Sequence, residues 1–327
     1  MDRKILRPRL EYRPYEYADL LQYRDAIRHS YWLHTEFNLA GDIQDWYVRV
    51  SPSEKELLRR TLLAISQVEV AVKLFWSRLY DRLPKPEIAE VGMTFAESEV
   101  RHANAYAHLL EVLKMDDDFR KALVEYPIFR RRVNSLMEAQ SLLKEDTPQS
   151  LIASLILFSS IVEHVSLFSQ FLIIMSFNKH RGIFKGISNI VEATSKEEQI
   201  HGMFGRHLVR LMREEMPELF DSSLIHRINQ SFIGSYQVEM ELIDWLFENG
   251  EPEFLPKSDV INYVLYRYND CLEAFGLQPL FMVDEIALER VRWFEDEMLT
   301  TKENDFFNKR SITYSKKMNS FTPDDLF

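Results

Sequence analysis

Two short segments of the chain each place a glutamate three residues before a histidine. Glu99 and His102 lie in FAESEVRHANAY, and Glu198 and His201 lie in TSKEEQIHGMF. Both segments are typical of helices, and residues three apart on a helix lie one above the other on the same face. Each segment therefore offers one carboxylate and one imidazole to the same point. Two such motifs, with one further glutamate from each of two other helices, form the inward-facing ligand set of di-iron and di-manganese carboxylate bundles.

The two further carboxylates should be acids that stand alone in apolar helices. Glu69 lies in LLAISQVEVAVKLFW, and Glu163 lies in LIASLILFSSIVEHVSLFSQFLIIMSF, the most apolar stretch of the chain. An ionised carboxylate in such surroundings is costly unless it is paired or bound to a metal. Four glutamates would balance the charge of two divalent cations. Oxygen-rich ligation with two imidazoles suits iron or manganese better than zinc or copper.

An isolated Glu-x-x-His usually marks a solvated helix face. Here the order Glu, Glu-x-x-His, Glu, Glu-x-x-His along the chain favours a site for two metal ions instead. Glu97 is the main alternative to Glu99 as a ligand. Only Glu99 stands three residues before His102, so the spacing predicts Glu99.

The composition indicates a mostly helical protein, because only 9 of the 327 residues are Gly and 12 are Pro. A net charge of −11 argues against a nucleic-acid partner. The single cysteine, Cys271, fits a reducing cytoplasm, and the N-terminus has no apolar signal core. The run around Glu163 is long enough to span a membrane, but Glu163, His164 and Gln170 within it favour a buried bundle helix.

Capping patterns and apolar spacing predict the elements that must position these residues. Ser51-Pro52-Ser53-Glu54 has the form of a capping box. The predicted ligand-bearing helices run from Pro52 to about Leu83, through Glu99 to about Leu113, from Thr147 through Glu163, and through Glu198 to about Glu214. The expected domains are a helical domain over residues 1–302 and a tail over residues 303–327, where the apolar periodicity is lost.

Tyr106 follows His102 by four residues, which places a phenol one helical turn further along the same face. A lone tyrosine at helical spacing is more often a core residue than a redox group. Beside two metal ions that can reach a high oxidation state, the redox interpretation gains weight.

In combination these residues resemble the small, radical-generating subunit of class I ribonucleotide reductase, from about Tyr31 to the last residue. The resemblance implies an all-α, ferritin-like four-helix di-metal bundle with additional peripheral helices, working as a homodimer. It assigns the radical-site tyrosine to Tyr106 and the metal ligands to Glu69, Glu99, His102, Glu163, Glu198 and His201.

The same resemblance extends to a path for the oxidant. Trp32 matches the family's radical-path tryptophan, with an acid four residues later at Glu36, and Tyr314 stands where the family carries an exit tyrosine. The terminal FTPDDLF is similar to peptides that dock on the catalytic large subunit. The stored one-electron oxidant would then leave through Trp32 and Tyr314, and the large subunit would reduce the ribonucleotide.

Three positions bear on how closely the family pattern applies. Glu69 and Glu197 stand where many members have aspartate, the second of these linking the tryptophan to the metal-bound histidine. Lys73 lies one turn after Glu69, where it either extends to the surface or supplies an electropositive entry for an anionic oxidant. Glu69, Lys73 and an intact Tyr106 resemble the subclass that uses two manganese ions activated by superoxide. Two iron ions or a mixed manganese/iron pair are the alternatives.

Two other functions remain open from the sequence. A di-iron oxygenase or oxidase would use the same six ligands on a bound organic substrate, but it would not need Trp32, Glu36 or the tail. A storage or scaffold bundle would not need a buried redox tyrosine.

Overall fold

The computed structural model describes residues 4–11, 13–72 and 74–299. Within these residues the chain consists of α-helices, short 3-10 helices and one π-helical segment, and it contains no strand. The α-helices are α1 (Leu21–His29), α2 (Ala40–Val48), α3 (Pro52–Val72), α4 (Pro86–Val112), α5 (Asp116–Glu125), α6 (Pro127–Leu143), α7 (Pro148–Leu157), α8 (Phe168–Arg181), α9 (Lys185–Glu215), α10 (Ser222–Leu246), α11 (Lys257–Ala274) and α12 (Glu285–Leu299).

A four-helix bundle forms the centre of the fold. Helix α3 packs on α4 and α8, and α9 packs on α4 and α8, so the four helices close a ring around a shared interior. The remaining helices surround this ring and cover its outer faces. The structure therefore confirms the predicted all-α, ferritin-like architecture with peripheral helices.

The helix starts follow the predicted capping chemistry. At α3, the Ser51 hydroxyl accepts a hydrogen bond from the Glu54 N–H at 3.3 Å, and the Ser51 N–H donates to the Glu54 carboxylate at 2.8 Å. At α7, the Thr147 hydroxyl accepts from the Ser150 N–H at 3.1 Å, with Pro148 at the first helical position. These caps satisfy backbone donors that have no partner inside the helix.

The predicted end of the first ligand helix at about Leu83 is wrong. Helix α3 ends at Val72, and a 3-10 helix follows from Trp76 to Asp81. Phe75 and Trp76 are both fully buried although they are adjacent in sequence. Beyond the break both rings pack in the core, where Phe75 stacks on Phe158 with centroids 3.6 Å apart and Trp76 lies 5.4 Å from Phe95.

The apolar helix of Glu163 is two α-helices joined by a π-helical segment, Phe158–Ser166, and not the single helix that the sequence predicts. Residues 148–181 are long and apolar enough to cross a membrane by length and composition, but their most apolar window is entirely buried inside the protein. This agrees with the predicted buried bundle helix. π-helical turns occur mostly as bulges within α-helices, and they are frequent at functional sites. The π-helical segment of this protein carries Glu163.

Two buried arginines hold the C-terminal end of the π-helical segment. The Arg267 Nε donates to the carbonyl of His164 at 2.8 Å, and the Arg132 Nη2 donates to the carbonyl of Ser166. Both arginines are at most 3% exposed. Side chains from α6 and α11 thus satisfy carbonyls in the segment that carries Glu163.

Candidate metal centre

The six predicted ligands meet in the interior of the four-helix bundle. Helix α3 supplies Glu69, α4 supplies Glu99 and His102, the π-helical segment supplies Glu163, and α9 supplies Glu198 and His201. None of the six is more than 1% exposed. The spacing of three residues gives this result directly for both Glu/His pairs, because each pair lies on one inward face of a long helix.

The cluster divides into two overlapping groups, in each of which all ligand atoms lie within 4.8 Å of one another. Two carboxylates belong to both groups, which is the arrangement expected of ligands shared between two metal ions. The first group is Glu69, Glu99, His102 and Glu198, and the second is Glu99, Glu163, Glu198 and His201.

Both histidines point the same ring nitrogen inward. The Nδ1 of His102 lies 3.0 Å from Glu198, and the Nδ1 of His201 lies 3.1 Å from Glu99 and 3.4 Å from Glu163. The outward Nε2 atoms have separate partners. In metal sites, a hydrogen bond to the ring nitrogen that does not bind the metal fixes the orientation of the imidazole.

Most inward-facing atoms of the cluster approach only one another, and they make none of the hydrogen bonds that buried polar atoms normally have. Both carboxylate oxygens of Glu69, Glu99 and Glu198 make no hydrogen bond with any described residue. The same holds for the Nδ1 atoms of His102 and His201. Orphaned buried oxygens and nitrogens converging on one point are costly without a cation, so this donor set fits a dinuclear metal centre.

The pKa values of the cluster's glutamates and histidines also indicate that the cluster requires positive charge. Burial raises the pKa of Glu69 well above its ordinary value, and burial together with the charge of Glu198 does the same for the pKa of Glu163. Burial opposes charged imidazoles, but the surrounding carboxylates outweigh it and raise the pKa of both His102 and His201. Without metal, protons must balance the carboxylates, and metal ions would displace them.

Glu163 has a partner that the sequence does not predict. The Trp76 Nε1–H donates to the Glu163 Oε1 at 2.8 Å, and the Trp76 ring centroid lies 6.1 Å from that of His201. Nothing in the local sequence distinguishes Trp76 from a core aromatic residue. Its role follows from the turn after α3, which is a tertiary feature.

Trp32 contacts the cluster through a ring stack. It is 3% exposed, and its ring lies 5.8 Å from the His102 ring at an interplanar angle of 16°. Glu197 accepts from the His102 Nε2 at 2.7 Å, as the resemblance implies. The Trp32 Nε1, however, makes no hydrogen bond within the described part of the chain. Glu197 is therefore hydrogen-bonded to His102 and not to Trp32, and Trp32 meets His102 through the ring stack.

Arg101 contacts both Glu197 and the Trp32 ring, and the sequence does not predict this contact. Its guanidinium lies 3.1 Å from Glu197 and 2.9 Å from Glu97, and it lies 5.6 Å above the Trp32 ring centroid. Glu97, the alternative to Glu99 as a ligand, is therefore half-exposed and paired with Arg101 outside the cluster.

Tyr106 is 1% exposed on α4. Burial, followed by the charge of Glu69, raises its pKa well above the ordinary value, so the phenol stays protonated. Glu36 is exposed and accepts from the Leu33 N–H at 2.9 Å, so it is not brought to the cluster. Lys73 and Tyr314 lie outside the described residues, as do the proposed domain boundary at 302 and the tail.

The fold and this cluster define a ferritin-like protein with a dinuclear carboxylate–histidine site. Residues 9–287 match the family "Ribonucleotide reductase, small chain", and the chain belongs to that family.

Two relatives are similar over most of the chain. The protein named "Probable ribonucleoside-diphosphate reductase small subunit 048L" of Invertebrate iridescent virus 3 is 27% identical, over 96% of this chain and 86% of that protein. The ribonucleoside-diphosphate reductase subunit beta of Chlamydia pneumoniae is 24% identical, over 86% of this chain and 83% of that protein. The chain is thus the small subunit of an oxidoreductase, ribonucleoside-diphosphate reductase.

Solved structures share the fold at low sequence identity. The ribonucleotide reductase R2 subunit of Clostridium botulinum has a TM-score of 0.78 at 16% identity, over 86% of this chain and 89% of that chain. The dimanganese(II)-NrdF of Streptococcus sanguinis has a TM-score of 0.69 at 15%, over 87% and 99%. An R2-like ligand-binding oxidase reconstituted with a Mn/Fe cofactor has a TM-score of 0.68 at 19%, over 80% and 94%.

Proposed function

We propose that this chain generates and stores the one-electron oxidant that its large subunit uses to reduce ribonucleotides to deoxyribonucleotides. The supporting observation is the cluster of six buried ligands, five of which direct atoms inward that make no hydrogen bond with any described residue. When bound, two metal ions would supply the oxidising equivalent. The chain's own residues hold those ions, exclude water from them and place Tyr106 and Trp32 beside them.

Glu197 and Arg101 would control the proton and the charge beside Trp32. Glu197 holds the His102 ring through Nε2, and Arg101 balances the Glu197 charge at 3.1 Å. A hole arriving at His102 would reach Trp32 through the stacked rings. Trp32→Phe tests this route, because it removes the more easily oxidised indole and keeps an aromatic ring in the stack.

Two manganese ions are the proposed cofactor, with two iron ions or a mixed pair as alternatives. Hard oxygen ligands suit either metal, and the fold is shared with a dimanganese protein and with a Mn/Fe protein. Metal analysis with electron paramagnetic resonance, on protein matured separately with manganese and with iron, separates the choices. An inert manganese form beside an iron form that dioxygen activates would overturn the manganese proposal.

The proposed oxidant of the manganese form is superoxide, drawn in by the positive charge of Lys73. Lys73→Met keeps a similar length and removes the charge. We expect it to slow superoxide-driven activation and to leave manganese bound. Equal activation rates in the two proteins would remove Lys73 from the proposal.

Docking on the large subunit is proposed to use the C-terminal tail. Its final residues, 319–327, combine aromatic and acidic side chains in the order NSFTPDDLF, a composition suited to folding on a partner. Deleting residues 319–327 should abolish binding to the large subunit and spare metal loading. Unchanged affinity in a pull-down titration would refute this role.

A homodimer and a cytoplasmic location complete the proposal. Met93 and Val100 are 62% and 47% exposed on α4 and lie seven residues apart, on one face of the helix. An apolar helix face of this kind supports a contact with a second copy. Size-exclusion chromatography of a Met93→Arg variant tests it, with a shift to monomer expected. The single, buried cysteine, Cys271, fits a reducing compartment.

The competing oxidase function makes a different prediction. An oxidase would turn over an organic substrate without a large subunit, and Trp32→Phe would leave that turnover intact. A ribonucleotide reductase subunit requires the large subunit for any nucleotide reduction.

A further inference from the structure

A second aromatic route leads away from the cluster at the second ligand group, Glu99, Glu163, Glu198 and His201. Trp76 contacts both Glu163 and His201, as described above, and is fully buried. The Phe204 ring lies 5.7 Å from the Trp76 ring, and the Tyr23 ring lies 5.6 Å from the Phe204 ring. Trp76, Phe204 and Tyr23 thus form a continuous file of rings from the second ligand group towards α1.

The file ends at a tyrosine that has a base beside it. The Tyr23 hydroxyl lies 3.1 Å from the Nδ1 of His207, and the Nε2 of His207 lies 3.1 Å from the Asp19 carboxylate. The Nε2 contact with Asp19 is an ion-pair distance without hydrogen-bond geometry. The nearby negative charge favours the tautomer with the ring proton on Nε2, which leaves Nδ1 to accept from the Tyr23 hydroxyl. Asp19 is 58% exposed at its side chain, whereas Tyr23 is 6% exposed.

These three groups have the parts needed to oxidise a tyrosine at neutral pH. A phenol that loses an electron must also lose its proton, and a neutral imidazole in hydrogen-bond contact can take it. Burial lowers the pKa of His207 below its ordinary value, so the ring is neutral and ready to accept. The nearby Asp19 carboxylate then stabilises the imidazolium that forms.

We propose that Trp76, Phe204 and Tyr23 form a discharge route through which the chain quenches an oxidised metal centre that is not used by the large subunit. This rests on the proposed function. The electron passes from Tyr23 across the Phe204 contact to Trp76, and from Trp76 to the oxidised dinuclear centre, which is reduced by one electron. The Tyr23 O–H bond breaks and its proton moves to the His207 Nδ1.

The route is completed by an external one-electron donor, such as a thiol or ascorbate. The donor reduces the Tyr23 phenoxyl radical, and the proton returns from His207 to the phenol oxygen. The two tryptophans therefore belong to different electron-transfer routes: Trp32 to the route towards the large subunit, and Trp76 to the discharge route. Trp32 stacks on His102 of the first ligand group, and Trp76 contacts Glu163 and His201 of the second.

The test follows the decay of the oxidised centre, by absorbance and electron paramagnetic resonance, in protein kept without the large subunit and supplied with ascorbate. Tyr23→Phe removes the oxidisable hydroxyl, and His207→Gln keeps a polar partner but removes the base. Tyr47→Phe is the matched control, because Tyr47 is 55% exposed and packs against Lys55 on the surface. Metal content and circular dichroism of all variants are measured in parallel.

We expect both Tyr23→Phe and His207→Gln to slow the decay several-fold at unchanged metal content, and Tyr47→Phe to decay at the original rate. A nitroso spin trap should label Tyr23 in the unmodified protein, as read by peptide mass spectrometry, and should not label it in His207→Gln. An unchanged decay rate in Tyr23→Phe overturns the discharge route and leaves the proposed function standing. If no metal yields an oxidised centre in the unmodified protein, the proposed function fails and this inference falls with it.

Discussion

Replacing Arg132 tests how the protein holds the segment that carries Glu163. The Arg132 Nη1 donates to the carbonyl of Ala64 on α3 at 2.8 Å, and Nη2 donates to the Ser166 carbonyl and to Gln170. Its Nε lies 3.5 Å from the Glu239 carboxylate, and both side chains are 2% exposed. Arg132 therefore links the helix of Glu69 to the π-helical segment of Glu163.

The magnitude for Arg132→Met follows from what the change leaves behind. Removing one partner of a buried ion pair costs about 3–5 kcal/mol, because the other charge remains buried. Each buried carbonyl left without a donor adds about 1–3 kcal/mol. Allowing for relaxation, we expect a loss of roughly 4–8 kcal/mol in the free energy of unfolding, which is a large share of the 5–15 kcal/mol typical of a protein.

The double variant Arg132→Met/Glu239→Gln separates the two contributions. It removes the stranded carboxylate but still leaves the carbonyls unpaired, so it should recover about 2–3 kcal/mol relative to Arg132→Met. Burial already raises the pKa of Glu239 above its ordinary value, against the influence of Arg132. Without Arg132 the folded protein holds that proton more tightly than the unfolded chain. The stability of Arg132→Met should therefore fall as pH rises from about 4.3, the ordinary value for glutamate, and the double variant should lack this fall.

Urea unfolding of the metal-free protein, followed by circular dichroism, measures both variants. A loss below about 1 kcal/mol for Arg132→Met, the range of an ordinary surface change, would refute the role of the arginine. Equal stability of the single and double variants would show that Glu239 does not depend on Arg132 for its charge balance.

Three further outcomes follow from the site. Glu163→Ala or Glu198→Ala should lower metal occupancy and keep the helical content, and two metals retained per chain would contradict the ligand assignment. Gly205→Ala should destabilise the protein by about 1–3 kcal/mol through overpacking, because the added Cβ would lie 2.4 Å from the Ser159 Cβ. A melting temperature equal to that of the unmodified protein would argue against this close approach. Trp32→Phe should keep an oxidised centre and lose nucleotide reduction, whereas activity surviving in Tyr106→Phe would place the stored hole on the metals.

The sequence predicts the cluster well because helical periodicity converts spacing into geometry. On a continuous helix, the three-residue spacing of Glu99 and His102 places both side chains on one face. Helix α4 is continuous through both residues. Glu69 and Glu163 are identified by a different signal, an ionisable side chain in an apolar helix. Both signals are local, so they survive without knowledge of the tertiary fold.

The parts that the sequence does not predict are tertiary. Beyond the end of α3 at Val72, Trp76 donates to Glu163, a residue 87 positions further along the chain. Carbonyls of the π-helical segment accept hydrogen bonds from Arg132 and Arg267, which lie on two distant helices. No periodicity within an apolar run shows that its carbonyls will be bonded from outside, so the pattern alone predicts one regular helix.

The outward partners of the two histidines make the two ligand groups chemically different. His102 donates through Nε2 to the Glu197 carboxylate at 2.7 Å, whereas the Nε2 of His201 lies 3.0 Å from the Ser98 hydroxyl. A carboxylate partner raises the basicity of a ligand imidazole more than a neutral hydroxyl does. The first group, with His102, should therefore fill before the second.

Stepwise titration of metal-free protein with manganese(II), followed by calorimetry and electron paramagnetic resonance, should show two affinities. Glu197→Gln keeps a hydrogen-bond acceptor for His102 but removes its charge, so it should weaken the tighter step by about 10–100-fold and bring the two steps together. Ser98→Ala, which removes the hydroxyl beside His201, should affect only the weaker step. If Glu197→Gln instead weakens the second step and spares the first, the order of filling runs the other way, and the difference between the groups comes from Glu69 and Glu163, not from the histidines' partners.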